Sequence, residues 1–259
     1  MEAHNQVVRR EFAGQAATFD DPRYVFADTV ILDWILAHVP AEPHFTVLDV
    51  AAGAGHLARA VAARVHQVVA LDLTPEMLIA GKTAAETAGV GNVLFERGDA
   101  GALPYLDDSF DLVTSRFAVH HFDEPSVQLA EMVRVCRPGG HVAIVDLVAV
   151  DAALAERHNQ LERLRDPSHT SALTVERLAE VVEAAGATVD RLETRDQTID
   201  FERWIAQAGT PPGIAARIRA ELEAEREGGP PTGMRPALER GRLSFTQRWA
   251  ICVAAMPEV

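Results

Sequence analysis

From Val47 onward the chain alternates short β-rich runs with amphipathic stretches, and this alternation restricts its fold more than any other feature. The β-rich runs fall at residues 46–50, 67–72, 92–96, 110–116 and 140–147. Strands that alternate with helices form βαβ units, in which the strands are parallel and helices cover both faces. The sequence therefore predicts an α/β fold around a mostly parallel sheet.

The remaining segments complete one predicted domain over residues 1–259. Helices are expected within residues 1–40, at about 5–19 and 30–39, before a core at 44–147. Residues 150–240 are expected to add helices on the substrate side, a sixth strand at 187–195 and an insertion that forms a lid. The last strand, at 243–256, should run antiparallel beside the sixth.

Composition excludes some classes of protein. The formal net charge of −14 gives no overall positive field, which disfavours nucleic-acid partners and anionic membranes. Residues 1–12 are charged rather than apolar, and no run has the length of a membrane span, so a cytoplasmic location is expected. The two cysteines, Cys136 and Cys252, are interpreted as buried thiols, and no metal site is predicted.

The strongest local motif joins the first strand to a glycine turn and a helix that begins near His56. Its sequence is VLDVAAGAGH, at 47–56. Glycines in such a turn let a ligand approach the backbone closely. The spacing of Gly53, Gly55 and Ala58 also matches the dinucleotide fingerprint of dehydrogenases, although that match alone is weak.

Three acids follow strands of the predicted sheet. Asp49 lies two residues before the turn, where its charge would repel a diphosphate but attract a cationic ligand such as S-adenosylmethionine (SAM). Asp72, after the second strand, has an acceptor for two ribose hydroxyls, and Asp99, after the third, has one for an exocyclic amine. Each acid taken alone also fits a structural role, as a turn or helix cap or a solvated loop residue.

Four segments together resemble the class I SAM-dependent methyltransferases, particularly the group that includes the ubiquinone and menaquinone C-methyltransferases. They are VLDVAAGAG (47–55), ALDLTPEML (70–78), GDAGALPYLDDSFDLV (98–113) and VCRPGGHVAIVD (135–146), in the family's order. The resemblance covers residues 44–147. It implies a Rossmann-like, seven-stranded sheet that binds SAM and releases S-adenosylhomocysteine.

The resemblance also implies a cofactor site. It assigns Asp49 to the methionine end of SAM, Asp72 to the ribose and Asp99 to the adenine. The full predicted set is Asp49, Ala51, Gly53, Gly55, Asp72, Leu73, Met77, Asp99, Ala100 and Arg116. Met77 also fits the core. Ala51 departs from the family's usual glycine; an alanine is tolerated there if its φ is negative.

Acceptor recognition is expected from segments outside the sheet. His120 or His121, after the fourth strand, fits a general base, although structural hydrogen bonding is the commoner role of such histidines. Weaker candidates for the substrate side are Phe12, Phe19, Asp146, His169 and Trp204.

The sequence thus predicts a SAM-dependent methyltransferase that acts on a small molecule. Two alternatives stay open: a non-methylating SAM-binding protein or cyclase on the same fold, and a nicotinamide-dependent oxidoreductase, which Asp49 argues against. The insertion at 201–240 leaves open whether the chain is a monomer with a lid or a homodimer.

Overall fold

The structure, a computed structural model, describes residues 2–16, 19 and 29–258. Its helices are α1 (Glu2–Gln15), α2 (Thr29–Leu36), α3 (His56–Ala62), α4 (Pro75–Thr87), α5 (Pro125–Val135), α6 (Ala155–Arg165), α7 (Val175–Ala184), α8 (Phe201–Gln207) and α9 (Pro212–Arg226). Its strands are β1 (Thr46–Val50), β2 (Gln67–Asp72), β3 (Val93–Arg97), β4 (Phe110–Arg116), β5 (Cys136–Val148), β6 (Thr188–Asp200), β7 (Pro236–Glu239) and β8 (Arg242–Ala255). The expected helix at 5–19 ends at Gln15, and residues 17, 18 and 20–28 lie outside the described part of the chain.

The sheet has the order β3-β2-β1-β4-β5-β8-β6. Strands β1 to β5 pair in parallel, whereas β8 runs antiparallel to both β5 and β6. The mostly parallel α/β architecture with an antiparallel last strand is therefore confirmed. The strand order reverses beside β1, at the switch point where open α/β sheets form a ligand crevice outside the carboxyl ends of their strands.

The described residues form eight strands rather than the predicted seven, because β7 pairs with β8 in a hairpin. A strand that begins at Pro236 is not among those predicted from the sequence. The two residues between the strands, Arg240 and Gly241, both have positive φ, of 51° and 79°. This backbone suits a tight hairpin, but the usual sequence signal is Asn-Gly or Asp-Gly, so Arg-Gly concealed it.

Two hydrophobic cores cover opposite faces of the sheet, as alternation along β1 shows. Val47 belongs to one core, whereas Leu48 and Val50 belong to the other. Full burial of one such side chain contributes about 1.5–3 kcal/mol, so the two cores hold the central strands firmly. The site described below therefore lies at the ends of strands that are buried on both faces.

The segment 201–226 forms two helices, α8 and α9. Gly209, with a φ of 63°, and Pro211 separate α8 from α9. Ile218 and Leu222 of α9 are fully buried in the same core as Val47. Of the helices in residues 2–16 and 29–258, none combines the length and the apolar character needed to cross a membrane.

Candidate functional site

The turn after β1 has a strained, compact backbone. Ala51, Gly53 and Gly55 have φ values of 53°, 56° and 70°, all in the left-handed region. The negative φ under which an alanine is tolerated at position 51 is therefore not observed. A left-handed conformation costs a residue with a Cβ about 1–2 kcal/mol, so the surrounding contacts must hold Ala51 in it.

Asp72, at the end of β2, supplies one of those contacts. Its carboxylate accepts hydrogen bonds from the backbone N–H of Gly53 at 2.7 Å and of Thr74 at 2.8 Å. Burial raises the pKa of Asp72 above its ordinary value, although the backbone hydrogen bonds oppose this effect. Each carboxylate oxygen has a second lone pair, so Asp72 can hold the turn and still accept from a ligand.

Asp49 lies behind the turn. Its carboxylate accepts from the Thr114 hydroxyl at 2.8 Å and from the Ala58 N–H, in the first turn of α3, at 3.1 Å. Burial raises its pKa to about 6, although Thr114 and Arg116 oppose the increase. Asp49 does not line the cavity described next, so its contacts are those of a buried structural acid.

A cavity of about 860 Å³, counting the part open to solvent, lies at the carboxyl ends of the strands. Three sets of residues line it: the turn and strand ends (Ala51, Ala52, Gly53, Leu71, Asp72, Leu73, Thr74, Gly98, Asp99, Ala100), the segment after β4 (Arg116, Phe117, Ala118, His121, Phe122, Asp123, Gln128) and the N-terminal region (Asn5, Val8, Phe12, Phe19). Six of the ten predicted cofactor residues thus share one cavity wall: Ala51, Gly53, Asp72, Leu73, Asp99 and Ala100. Arg116 lines the same cavity.

Helix α1 closes one side of the cavity. Asn5, Val8 and Phe12 recur at helical spacing on its inner face. The Asn5 side-chain amide donates to Asp99 at 2.6 Å, and His4 Nε2 donates to the His121 carbonyl oxygen at 2.7 Å. The acid assigned to adenine is thus already in contact with the N-terminal helix.

The two adjacent histidines lie in different environments. The Nδ1 of His120 is 2.5 Å from Asp146 Oδ1, and both residues are buried away from the cavity lining. Burial lowers the pKa of His120, but Asp146 outweighs it, so that pKa is raised. His121 lines the cavity, with its ring 5.0 Å from that of Phe12 and at 84° to it.

The cavity-facing His121 is held from behind. Its Nδ1 is 3.1 Å from the Ser168 hydroxyl, which donates to Asp166 at 2.5 Å. Burial and, to a smaller extent, the neighbouring His120 lower the pKa of His121 to about 4. At neutral pH the imidazole is uncharged, so one ring nitrogen carries a lone pair.

Several predicted residues are not brought to the cavity. Met77 is fully buried against Phe19 and Ala54, and Gly55 packs beneath Phe95, where an added Cβ would lie 2.9 Å from the ring. Asp146 pairs with His120, and His169 Nε2 lies 2.7 Å from Asn159 Oδ1.

Trp204 requires a further correction. It is 4% exposed and packs against Phe245, with ring centroids 4.8 Å apart. No residue of the segment 201–240 lines the cavity. The amphipathic pattern of this segment reflects its packing on the sheet, so the structure does not bring Trp204 or the expected lid to the acceptor side.

Some residues at the site were missed in the sequence. Asn5 and Val8 had a usable signal, because they precede Phe12 at helical spacing. Ser168 and Asp166 stand in the segment Asp-Pro-Ser-His, of which only His169 was noted. Their contact with His121 joins residues more than 40 positions apart, which no local pattern reveals.

Charge distinguishes the ligands that the cavity suits. Asp72, Asp99 and Asp123 line it, against one arginine, Arg116, among the described lining residues. Loss of solvation lowers the pKa of the Arg116 guanidinium to about 10, although Asp49 opposes this effect. Acceptor carboxylates around a glycine turn suit a ligand with hydroxyls, an amine and positive charge better than a diphosphate.

Comparison with known proteins agrees with this geometry. The family model described as "Methyltransferase domain" matches residues 48–144. A Bacillus subtilis protein, the uncharacterized methyltransferase YcgJ, is 34% identical over 212 residues, which are 82% of this chain and 83% of that protein. The chain belongs to the class I methyltransferases.

Two further relatives support the assignment of this chain to the methyltransferases. The crystal structure of a putative methyltransferase from Bacillus halodurans superposes with a TM-score of 0.80 at 30% identity, covering 87% of this chain and 98% of that one. The demethylmenaquinone methyltransferase of Renibacterium salmoninarum is 39% identical over 141 residues, 51% of this chain and 57% of that protein.

Proposed function

We propose that this methyltransferase uses SAM to methylate a small molecule. The observation that carries the proposal is the meeting of Gly53, Asp72 and Asp99 in one cavity at the carboxyl ends of β1, β2 and β3. Asp72 and Asp99 lie at neighbouring strand ends, because β2 pairs with β3 and Asp72 is in register with Arg97. Their spacing along the sheet edge suits a ribose and an attached base.

The residues present fit SAM. Gly53 and the turn would hold the methionine part, Asp72 the ribose hydroxyls, and Asp99 with Ala100 and Leu73 the adenine. Arg116 would face the carboxylate. SAM supplies a methyl group on a positively charged sulfur, and its transfer leaves a neutral thioether while the acceptor atom loses a proton.

The rest of the cavity suits an apolar acceptor. Val8, Phe12, Phe19, Phe117 and Phe122 supply its apolar lining. Aromatic walls with a few polar groups are typical of sites for small, partly aromatic or isoprenoid molecules. Since α1 covers this side, it would help to shield a bound acceptor from water and hold it close to the methyl donor, and such positioning supplies much of the rate.

Among the predicted histidines, His121 is the better candidate for a general base. It lines the cavity and is uncharged at neutral pH, whereas His120 is engaged by Asp146. Three buried residues would support the cavity-lining side chains without lining the cavity themselves: His120, Asp146 and His169. A positioned base typically contributes about 10²–10⁴-fold to the rate.

A label-transfer assay tests the proposal. The protein is incubated with SAM carrying a deuterated methyl group and an extract of small molecules, and products are analysed by mass spectrometry. We expect a small molecule to gain one labelled methyl group with the wild-type protein but far less with Asp72→Ala. If a small molecule is consumed but gains no methyl group, the result would instead favour a cyclase. Turnover that needs NAD and not SAM would favour an oxidoreductase.

A further inference from the structure

A chain of three side chains behind the cavity fixes where the protons lie. The Ser168 hydroxyl has a single proton, and it donates that proton to Asp166 Oδ1 at 2.5 Å. Towards His121 the same hydroxyl, 3.1 Å from Nδ1, can therefore act only as an acceptor. His121 must carry its proton on Nδ1.

Asp166 is built to remain an acceptor. Its Oδ1 also accepts from the Ser168 backbone N–H at 2.9 Å, and its side chain is almost fully buried. Burial alone raises the pKa of Asp166, whereas the charge of Arg165 and the hydrogen bonds from Ser168 lower it, and a protonated His121 would lower it further. An ionised Asp166 cannot donate to Ser168, so the direction of the chain does not reverse at neutral pH.

The other ring nitrogen of His121, Nε2, is consequently unprotonated. The described residues donate no hydrogen bond to Nε2, and the ring lines the cavity beside Phe12. The titratable groups around the ring are His120, Asp146, Asp166 and His169, with His4 on its carbonyl oxygen. His121 thus presents a lone pair rather than an N–H to a molecule in the cavity.

We propose that Ser168 and Asp166 are positioning residues that hold His121 with its unprotonated Nε2 towards the cavity. Because this nitrogen can accept a proton, the methyl acceptor is a molecule that has a proton to lose. Phenols, enols and acidic carbons meet this requirement. The proton moves from the acceptor to Nε2 as the acceptor's electron pair forms the bond to the methyl carbon, and the electrons of the broken carbon–sulfur bond stay on sulfur. The resulting imidazolium donates from Nδ1 to Ser168, and Asp166 stabilises its charge. This inference rests on the proposed function.

The state of the ring is measurable without turnover. Nitrogen-15 NMR of the protein, labelled at its histidines and saturated with S-adenosylhomocysteine, distinguishes a protonated from a bare ring nitrogen. His121→Gln identifies the signals of His121 among the ten histidines. We expect Nδ1 protonated and Nε2 bare in the wild-type protein, and a shift of protonation towards Nε2 in Ser168→Ala. A wild-type ring protonated on Nε2 would overturn the proposal even if the variant fails to fold.

Kinetics provide the second arm, with the acceptor identified by label transfer. Ser168→Ala and Asp166→Asn should lower kcat by at least about tenfold, with the dissociation constant of S-adenosylhomocysteine changed by less than about twofold. Ser244→Ala is the matched control, because Ser244 is as buried as Ser168 but lies in β8, away from the cavity. Equal kcat in Ser168→Ala and Ser244→Ala would contradict the positioning role.

The pH profile separates positioning from simple loss of structure. Since the pKa of His121 is lowered to about 4, wild-type kcat should stay constant over roughly pH 6–8 and fall only in more acidic solution. The negative charge of Asp166 raises the pKa of His121, so Asp166→Asn should move the fall in kcat to still lower pH. If no methyl transfer is found but the NMR result holds, the proposed function fails while the tautomer assignment stands.

Discussion

At the scale of single residues, Ala51 shows how a departure from a family pattern is accommodated. Its φ of 53° lies in the region that glycine adopts without strain. The turn is nevertheless retained, because Asp72 binds the Gly53 N–H and the Ala52 N–H donates to Leu71 at 3.0 Å. The strain is therefore confined to the turn, and hydrogen bonds to residues of β2 hold the strained backbone in place.

Replacing Ala51 by glycine should stabilise the protein. Relief of the left-handed conformation gains about 1–2 kcal/mol, and the larger backbone entropy of glycine in the unfolded chain offsets about 0.5–1 kcal/mol of it. Ala52→Gly is the matched control: Ala52 has no positive φ, so that variant should be destabilised. Urea unfolding measures both, and equal losses of stability in the two variants would disprove the strain.

His169 links stability to pH. Burial lowers its pKa to about 2, whereas an unfolded histidine titrates near its ordinary value of about 6.5. Below that ordinary value the unfolded chain binds a proton that the folded chain does not, so the free energy of unfolding falls as pH falls. By about pH 5 the loss from this residue should be roughly 2 kcal/mol.

The variant His169→Gln isolates this effect, because glutamine does not titrate and keeps a donor for Asn159. Between about pH 7 and pH 5 the wild-type protein should lose roughly 2 kcal/mol more than the variant, as urea unfolding measures. Parallel losses would mean that His169 titrates normally in the folded protein.

At the scale of elements, α1 is the part of the site most open to test. None of its residues is buried, yet Asn5, Val8 and Phe12 line the cavity. If α1 served acceptor recognition alone, its removal would leave SAM affinity largely intact and abolish methyl transfer. The contact of Asn5 with Asp99 changes the first half of that expectation.

Deletion of residues 1–15 should therefore weaken binding of S-adenosylhomocysteine by at least about tenfold as well as abolish turnover. The fold should survive, because α1 adds nothing to the two cores of the sheet. Calorimetry gives the affinity and thermal unfolding tests the fold. Unchanged affinity with full turnover would show that α1 does not close the site.

Elements differed in how well the sequence predicted them. Strands β1, β2, β4 and β8 were located within a residue or two, because short apolar runs bounded by turn residues suffice for that. The β7 hairpin depends on a positive φ at Arg240 that the local sequence signals weakly, whereas Gly209 and Pro211 do signal the interruption between α8 and α9. The burial of Trp204 depends on tertiary packing, which periodicity does not contain.

At the scale of the whole molecule, the methyltransferase fold and the glycine turn with its acids were predictable, whereas the acceptor side was not. The cofactor motifs are local in sequence, and parallel strands bring their ends together automatically. The acceptor side instead combines α1, the segment after β4 and Ser168, which meet only in the folded chain. The cytoplasmic location and the choice between monomer and homodimer stay predictions, and light scattering tests the latter.

Calorimetric titration with S-adenosylhomocysteine and, separately, NAD tests the central claim most directly, because it asks which ligand the cavity takes. The wild-type protein should bind S-adenosylhomocysteine at one site and not bind NAD. Asp72→Ala should weaken that binding by about 1–3 kcal/mol, since it removes a buried acceptor. The exposed-site control Asp190→Ala should bind normally. Binding of NAD but not S-adenosylhomocysteine, or unchanged affinity in Asp72→Ala, would contradict the account.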